Sequence, residues 1–252
     1  MTKHFNTAGP NIAALHYQLD PLIRIDSHAV DDLVAQSRYF VLHAPRQTGK
    51  TTCLLALQEH FNAGDQYRAL YLNLEPAQSA RNNVGAAAET ILSSLAERER
   101  FVLRSTVIEE ARERLLARGA HASVKSAFSL LAEASERPLI LFLDEVDSLV
   151  GDTLISLLRQ IRAGYTDRPK FFPHSIVLCG VRDIRDYRMT LPDGEVITGG
   201  SAFNIKAESL RLGNFSREEL VAIYAQHTEA TGQAFTPEAI EVACPVASVC
   251  CA

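Results

Sequence analysis

The 252-residue chain contains no apolar stretch near the roughly 20 residues of a membrane-spanning helix. Its first six residues lack the apolar core of a signal peptide, so we expect a cytoplasmic protein that does not enter a membrane. The formal net charge of −5 does not indicate a polybasic nucleic-acid-binding protein. The hydrophobic content of 47% is enough for one full core and a small second unit.

Cysteines are few, and their spacing matches no common site. The chain has five cysteines, without a C-x-x-C pair or the His/Cys spacing of a metal site. An odd number argues against a disulfide framework. Cys53 and Cys179 lie in apolar segments, and we predict that both are buried and unreactive.

One segment joins a predicted strand to a predicted helix and carries a phosphate-binding pattern. Residues 39–42 are apolar, residues 44–51 read Ala-Pro-Arg-Gln-Thr-Gly-Lys-Thr, and residues 52–57 have helical character. A loop of this kind turns backbone N–H groups around phosphate oxygens, and the dipole of the following helix adds to the attraction. The alternative is a glycine-containing turn followed by a surface lysine.

The phosphate-loop interpretation predicts a set of nucleotide-binding residues: Pro45, Arg46, Gln47, Thr48, Gly49, Lys50, Thr51 and Thr52. Within this set, Lys50 would reach the β- and γ-phosphates of ATP, and Thr51 would hold Mg²⁺. ATP and Mg²⁺ are therefore the expected ligands.

A second motif lies about a hundred residues further along the chain. Residues 139–143 form an uninterrupted apolar run, which is typical of a strand buried on both faces of a parallel sheet. The run ends in Asp144 and Glu145, where open α/β sheets place their ligands. In the Walker B arrangement, the aspartate supports Mg²⁺ and the glutamate polarises the attacking water. Alternatively, Asp144 could cap a helix that starts at Val146.

Strands and helices alternate along the rest of the chain, which predicts a parallel sheet with helices on both faces. Further strands are expected at residues 69–74, 175–179 and 209–212. The amphipathic helix at residues 153–163 is expected to end at Gly164. The charged run at residues 97–100 is interpreted as a solvated helix face.

These motifs, together with a later strand that ends in a polar residue, resemble the P-loop ATPases of the AAA+ and STAND type over about residues 25–225. Residues 39–52, 139–145 and 176–182 are also similar to bacterial AAA-like ATP-binding proteins. The resemblance implies an α/β P-loop NTPase fold. Its mainly parallel sheet would have strand order 5-1-4-3-2, with helices on both faces and a helical lid after the core.

The resemblance also implies residue roles. Lys50 would bind phosphate, Thr51 and Asp144 would support Mg²⁺, and Glu145 would be the general base. Arg182 follows the fourth strand, where the family places its first sensor.

AAA+ proteins usually carry Asn or Thr at the sensor position, and an arginine there looks more like the STAND group. A guanidinium could contact the γ-phosphate with two N–H groups. The alternative is a surface arginine in a loop that also contains Arg185 and Arg188.

Three regions are expected. Residues 1–37 flank the nucleotide site, residues 38–215 form the ATPase core, and residues 216–252 begin a helical lid. Ser216 to Glu219 is a capping box that opens one helix, and Pro237 is the first residue of another.

The last ten residues contain Cys244, Cys250 and Cys251 in a spacing that matches no common metal site. We interpret this tail as a truncated or frameshifted end in preference to a metal or redox segment. Without a complete lid, hydrolysis and self-assembly would be impaired more than binding.

The expected function is therefore an ATP-binding, ATP-hydrolysing domain that acts as a nucleotide-driven switch on an effector protein or a second copy of itself. One alternative is an initiator- or loader-type ATPase on DNA, although no basic winged-helix segment is present. Another is a small-molecule kinase. Glu145 directly after Asp144 argues against the kinase, because that position serves water activation.

Overall fold

The computed structural model describes residues 3–183, 188–190, 196–198 and 204–242. The strands are β1 (Tyr39–His43), β2 (Arg68–Asn73), β3 (Leu139–Asp144), β4 (Ser175–Gly180), β5 (Arg188–Thr190), β6 (Val196–Thr198) and β7 (Lys206–Arg211). The helices are α1 (Ser27–Ala35), α2 (Lys50–Ala63), α3 (Val84–Arg98), α4 (Val107–Leu116), α5 (Ser123–Ala134), α6 (Asp152–Gly164) and α7 (Arg217–Thr231), and residues 237–242 are also helical.

The main sheet has five strands in the order β2-β3-β4-β1-β7, and every pairing in it is parallel. Read from the opposite edge, with β7 as the fifth strand, this is the predicted order 5-1-4-3-2. The predicted fold is therefore confirmed. Because the strands are parallel, the residues that follow β1, β3 and β4 share one edge of the sheet. A separate antiparallel pair, β5 and β6, was not expected from the sequence.

The core lies on both faces of this sheet, as the apolar run at β3 predicts. Leu139, Leu141 and Leu143 pack in the cluster that contains residues of α3, α5 and α6. Ile140 and Phe142 pack in the opposite cluster, with residues of α1 and α2. All residues of β3 are buried, which explains why its sequence is continuously apolar and does not alternate.

Strand β2 lies at an edge of the sheet, and side chains occupy its outward-facing backbone groups. Asn62 accepts a hydrogen bond from Ala69 N and donates one to Ala69 O, both at 2.9 Å. The Gln58 side chain accepts from Tyr71 N at 2.8 Å, and Arg98 Nε donates to Tyr71 O at 3.1 Å. These bonds block pairing with a further strand and hold the backbone of β2 on both sides of Tyr71.

The charged run at residues 97–100 is not a wholly solvated face, and that prediction is wrong. Glu99 is fully buried, and its carboxylate accepts hydrogen bonds from the backbone N–H groups of Val107 and Ile108. A π-helix, Glu99–Leu103, follows α3, and the carboxylate caps the first turn of α4. Burial of this charge is offset by the two backbone donors that it pairs with.

Helix α6 ends at Gly164, as predicted, but the reason for a glycine at this position is a different one. Its backbone is right-handed helical (φ −85°, ψ −9°), and a short 3₁₀ turn, Tyr165–Asp167, follows directly. A Cβ at this position would lie 2.4 Å from the ring of Phe172, which is completely buried. Glycine is therefore required for close packing and not for a left-handed turn.

The C-terminal part of the described chain begins with a capped helix. Ser216 Oγ accepts from Glu219 N at 3.2 Å, and Ser216 N donates to a Glu219 carboxylate oxygen at 2.6 Å, which confirms the capping box. Residues 243–252, which contain the atypical tail, lie outside the described residues. Within the described residues, no helix has the length and apolar character needed to cross a membrane.

Candidate nucleotide-binding site

The phosphate loop connects β1 to α2 and is held open by its backbone conformation. Gln47 and Gly49 both have positive φ values, of 58° and 84°. Gly49 is the N-cap residue of α2, and among the described residues no side chain caps this helix. Its first backbone N–H groups therefore remain available to an anion, as the phosphate-loop pattern predicts.

The Lys50 side chain folds back onto the loop. Its ammonium donates to Ala44 O at 3.1 Å and to Pro45 O at 2.9 Å, and the residue is buried. The Thr48 hydroxyl also donates to Pro45 O, at 2.8 Å. These bonds keep the ammonium against the loop, where it can pair with phosphate oxygens.

Thr51 and Asp144 are brought together from elements 93 residues apart. The Thr51 hydroxyl donates to Asp144 Oδ2 at 2.7 Å. The same oxygen accepts from the Tyr71 hydroxyl at 3.0 Å, and Asp144 Oδ1 accepts from Glu145 N at 2.9 Å. Burial and the neighbouring Asp144 charge raise the pKa of Tyr71, so its phenol stays protonated and donates. Asp144 is fully buried, and these contacts fix both of its oxygens.

Glu145 is half-buried and lines the cavity beside the phosphate loop. Its backbone is left-handed (φ 54°, ψ 41°), a conformation uncommon for a residue other than glycine. Burial raises the pKa of Glu145, the Asp144 and Asp147 charges raise it further, and the Lys50 ammonium opposes them. A carboxylate with a raised pKa accepts a proton more readily, as a general base must.

Arg182 lies two residues beyond β4 and is exposed. The backbone N–H of Val181 donates to Asp147 Oδ1 at 3.2 Å, which ties the end of β4 to the loop after β3. Among the described residues that line the cavity, Arg182 does not occur. Arg185 lies outside the described residues. The sensor role of Arg182 stays a prediction.

The N-terminal segment forms the wall opposite the phosphate loop. Residues 6–10, Gln47–Thr52 and Glu145 enclose a cavity of about 370 Å³. Asn6 organises this wall by donating to Gly9 O and to the Asn11 side chain, both at 2.9 Å. Asn11 N donates to Thr52 Oγ1 at 3.1 Å and so docks the segment on α2. No pattern in the sequence indicated this contact.

A second, mainly apolar cavity of about 450 Å³ adjoins the first. It lies between the N-terminal segment and α7, and both cavities are lined by Asn6, Gly49 and Thr52. Its aromatic lining residues are Phe5, Tyr17, Phe215, Tyr224 and Phe235. Within the described part of the chain, the buried Tyr17 hydroxyl and Gln18 Oε1 have no hydrogen-bond partner.

Arg24 connects the phosphate loop to the segment before α7. Its guanidinium donates to Thr48 O at 2.8 Å and to Gly213 O at 3.0 Å, and it stacks on Phe215 at 3.9 Å. No local sequence pattern indicates this role of Arg24, because Thr48 and Gly213 lie 24 and 189 residues away along the chain.

Cys53 and Cys179 are both buried, as predicted. Burial raises the pKa of the Cys53 thiol to about 12, and burial with the nearby Asp144 charge raises the pKa of Cys179 well above its usual value. Neither thiol therefore ionises near neutral pH.

Residues 34–187 match the family described as AAA domain, over more than half of the chain. The chain belongs to this family. In a comparison with curated proteins, none matched this chain. Its phosphate loop, β3 carboxylates and β4 all fall within the matched residues.

Solved structures show a similar fold. A Walker-type ATPase of Pyrococcus abyssi superposes with a TM-score of 0.56 at 14% identity, covering 86% of this chain and 60% of that one. The Aeropyrum pernix ORC2 protein superposes with a TM-score of 0.48 at 16% identity, covering 81% of this chain and 51% of that one. Domain III of the Thermotoga maritima replication initiation protein DnaA superposes with a TM-score of 0.49 at 17% identity, covering 94% of this chain and 82% of that one. The chain thus spans less than two thirds of the first two proteins.

Proposed function

We propose that this AAA domain binds ATP with Mg²⁺ and hydrolyses it to ADP and phosphate. The contact between the Thr51 hydroxyl and Asp144 Oδ2 carries the proposal, because it joins the phosphate loop to the carboxylate pair at one cavity. A hydroxyl and a buried carboxylate are hard oxygen donors, which suit Mg²⁺ accompanied by phosphate oxygens. The residues present therefore fit the metal.

The two adjoining cavities support a nucleotide as the ligand. The phosphates would occupy the cavity beside Lys50 and Glu145, and the base would occupy the aromatic cavity. The unpaired polar atoms of Tyr17 and Gln18 offer hydrogen bonds to the edge of a base that packs against the aromatic lining of this cavity. Aromatic walls with a few polar groups are typical of such sites.

In the proposed reaction, the chain positions the phosphates and moves one proton. The α2 N–H groups and Lys50 neutralise phosphate charge. Thr51 and Asp144 would hold Mg²⁺, which would supply further positive charge beside the phosphates. Glu145 accepts a proton from the attacking water, and its carboxyl later returns the proton to solvent.

Removal of the Lys50 ammonium tests ATP binding. Lys50→Ala should weaken ATP binding by roughly 1.5–3 kcal/mol, or about 10- to 150-fold, because a charge-assisted contact to phosphate is lost. Calorimetry on both proteins measures the affinity. Lys170→Ala removes an exposed lysine and serves as the control. Equal ATP affinities for Lys50→Ala and the parent would contradict the proposed site.

Arg182 is proposed to distinguish ATP from ADP, as the STAND-like arginine at this position suggests. Strand β4 lies between β1 and β3, so Arg182 follows the strand next to the phosphate loop. Arg182→Ala should lose ATP affinity about tenfold with ADP affinity unchanged, because only ATP has γ-phosphate oxygens. Calorimetry with both nucleotides measures this, with the exposed Arg159→Ala as control. An equal loss for ATP and ADP would exclude the sensor role.

We also propose that the nucleotide state is transmitted to α7. The Phe5 ring packs against the rings of Tyr224 and Phe235, with centroids 5.6 Å and 6.5 Å apart, and all three line the aromatic cavity. Arg24 bonds the phosphate loop and the segment before α7 at the same time. A ligand between these elements would change their relative positions, which is the basis of a switch. A second copy of the chain or an effector protein would respond to it.

A further inference from the structure

Tyr71 lies in the middle of edge strand β2, and its hydroxyl reaches the carboxylate at the end of β3. The Tyr71 hydroxyl donates to Asp144 Oδ2 at 3.0 Å, across 73 residues of sequence. The Tyr71 ring is almost completely buried, with 8% of its surface exposed. This tyrosine is outside the phosphate loop and the carboxylate pair, yet it bonds the same oxygen as Thr51.

The position of Tyr71 is fixed by its own backbone contacts. Gln58 of α2 accepts from Tyr71 N at 2.8 Å, and Arg98 of α3 donates to Tyr71 O at 3.1 Å. The Arg98 guanidinium also lies over the Tyr71 ring, 5.5 Å from its centre. Helices from both faces of the sheet therefore fix the backbone of this residue, and its hydroxyl donates to Asp144 from a fixed position.

The hydrogen bonds of Asp144 show what the tyrosine contributes. Oδ1 is bound by Glu145 N, and Oδ2 is bound by Thr51 and Tyr71. Thr51 is also the expected Mg²⁺ ligand, so its hydroxyl must serve two partners. Tyr71 is not itself an expected Mg²⁺ ligand, and its hydroxyl holds Oδ2 beside Thr51.

We propose that Tyr71 is a positioning residue for the metal site, which holds the Asp144 carboxylate in the orientation that supports Mg²⁺ beside Thr51. This inference rests on the proposed ATP–Mg²⁺ function. Groups that orient a metal-supporting carboxylate typically change metal affinity 10- to 100-fold when they are removed. Tyr71 bonds the same carboxylate oxygen as Thr51 and is not among the described residues that line either cavity, so we expect it to act on the metal through Asp144 and not on the nucleotide directly.

The test compares ATP affinity with Mg²⁺ and with EDTA in the full chain. Calorimetry on the parent gives the gain in affinity that Mg²⁺ provides. Tyr71→Phe removes one oxygen atom and should reduce this gain about tenfold, while affinity in EDTA stays unchanged. An unchanged Mg²⁺ gain in Tyr71→Phe would overturn the inference, as would an equal loss of affinity with and without Mg²⁺.

Tyr39→Phe is the matched control. The Tyr39 hydroxyl is buried and donates to Pro173 O at 2.7 Å, but it lies at the opposite end of the sheet from the phosphate loop. Loss of the hydroxyl at Tyr39 should leave the Mg²⁺-dependent gain in ATP affinity unchanged. If Tyr39→Phe reduced the gain as much as Tyr71→Phe, the effect would be general destabilisation and the inference would be wrong.

A second measurement separates this inference from the proposed function. The Mg²⁺ concentration that gives half of the ATP-dependent rise in melting temperature should increase about tenfold in Tyr71→Phe. A parent chain without any ATP-dependent rise would contradict the proposed function itself. A parent with the rise, and a Tyr71→Phe midpoint equal to that of the parent, would contradict only the role of Tyr71.

Discussion

Glu145→Gln should bind ATP as tightly as the parent chain and hydrolyse it about 10²- to 10⁴-fold more slowly. Glutamine keeps the shape and the hydrogen-bonding reach of the side chain but cannot accept the proton of the attacking water. The left-handed backbone and half-buried carboxylate of Glu145 place that carboxylate at the cavity shared with Lys50. Steady-state phosphate release and ATP calorimetry, carried out on the same preparations, give the two quantities.

Glu75→Gln is the control for this change. Glu75 is exposed and close enough for its charge to raise the pKa of Glu145, but it does not line the described cavity. The same neutralisation at Glu75 should leave turnover near the parent rate. Turnover in Glu145→Gln equal to that of the parent would exclude Glu145 as the base. A parent chain that binds ATP without turnover would contradict the hydrolysis part of the proposal.

The phosphate loop and the carboxylate pair could be predicted because each lies within one short segment. A strand buried on both faces produces an apolar run, and parallel strands place their ligand residues directly after that run. Lys50 and Thr51 follow β1 in this way, and Asp144 and Glu145 come at the end of β3. The sheet order followed from the resemblance, since local patterns do not specify which strands pair.

Other parts of the site depend on contacts that no sequence window contains. In its own segment, Tyr71 looks like any aromatic residue of a buried strand, and its partner Asp144 is 73 residues away. Arg24 reaches Gly213 over 189 residues. The Asn6 wall is formed by a segment without helix or strand periodicity. These residues could be recognised only after the strands and helices were placed in space.

Glu99 and Gly164 show that local sequence patterns also fail to predict some contacts in the core. The charge of Glu99 predicts solvent exposure, but a π-helix turns its carboxylate to the first turn of α4. Helix α6 does end at Gly164, as glycine after an amphipathic run predicts, but glycine is needed there because of the Phe172 ring and not for a left-handed turn. Propensity describes a residue's average environment, whereas these two positions are determined by a single neighbour.

Replacement of Gly164 by alanine should therefore destabilise the fold strongly. The added Cβ would lie 2.4 Å from the Phe172 ring, closer than any ordinary carbon contact, and Phe172 is fully buried against Phe128. We expect a loss of about 3 kcal/mol in unfolding free energy, at the upper end of overpacking penalties. For a chain of this size, this corresponds to a melting temperature lowered by roughly 6–12 °C. Urea unfolding and thermal melting measure both values.

Gly85→Ala adds the same methyl group at a position with room for it, and it should raise the free energy of unfolding. Gly85 is exposed in the first turn of α3, and a Cβ there would meet only the Asn83 side chain at 3.4 Å. Alanine should stabilise this helix by about 0.5 kcal/mol through its higher helix propensity. Adding Phe172→Leu to Gly164→Ala should recover part of the lost stability, because a smaller side chain leaves room for the new methyl group. If Gly164→Ala were as stable as Gly85→Ala, close packing on Phe172 would not be the reason for this glycine.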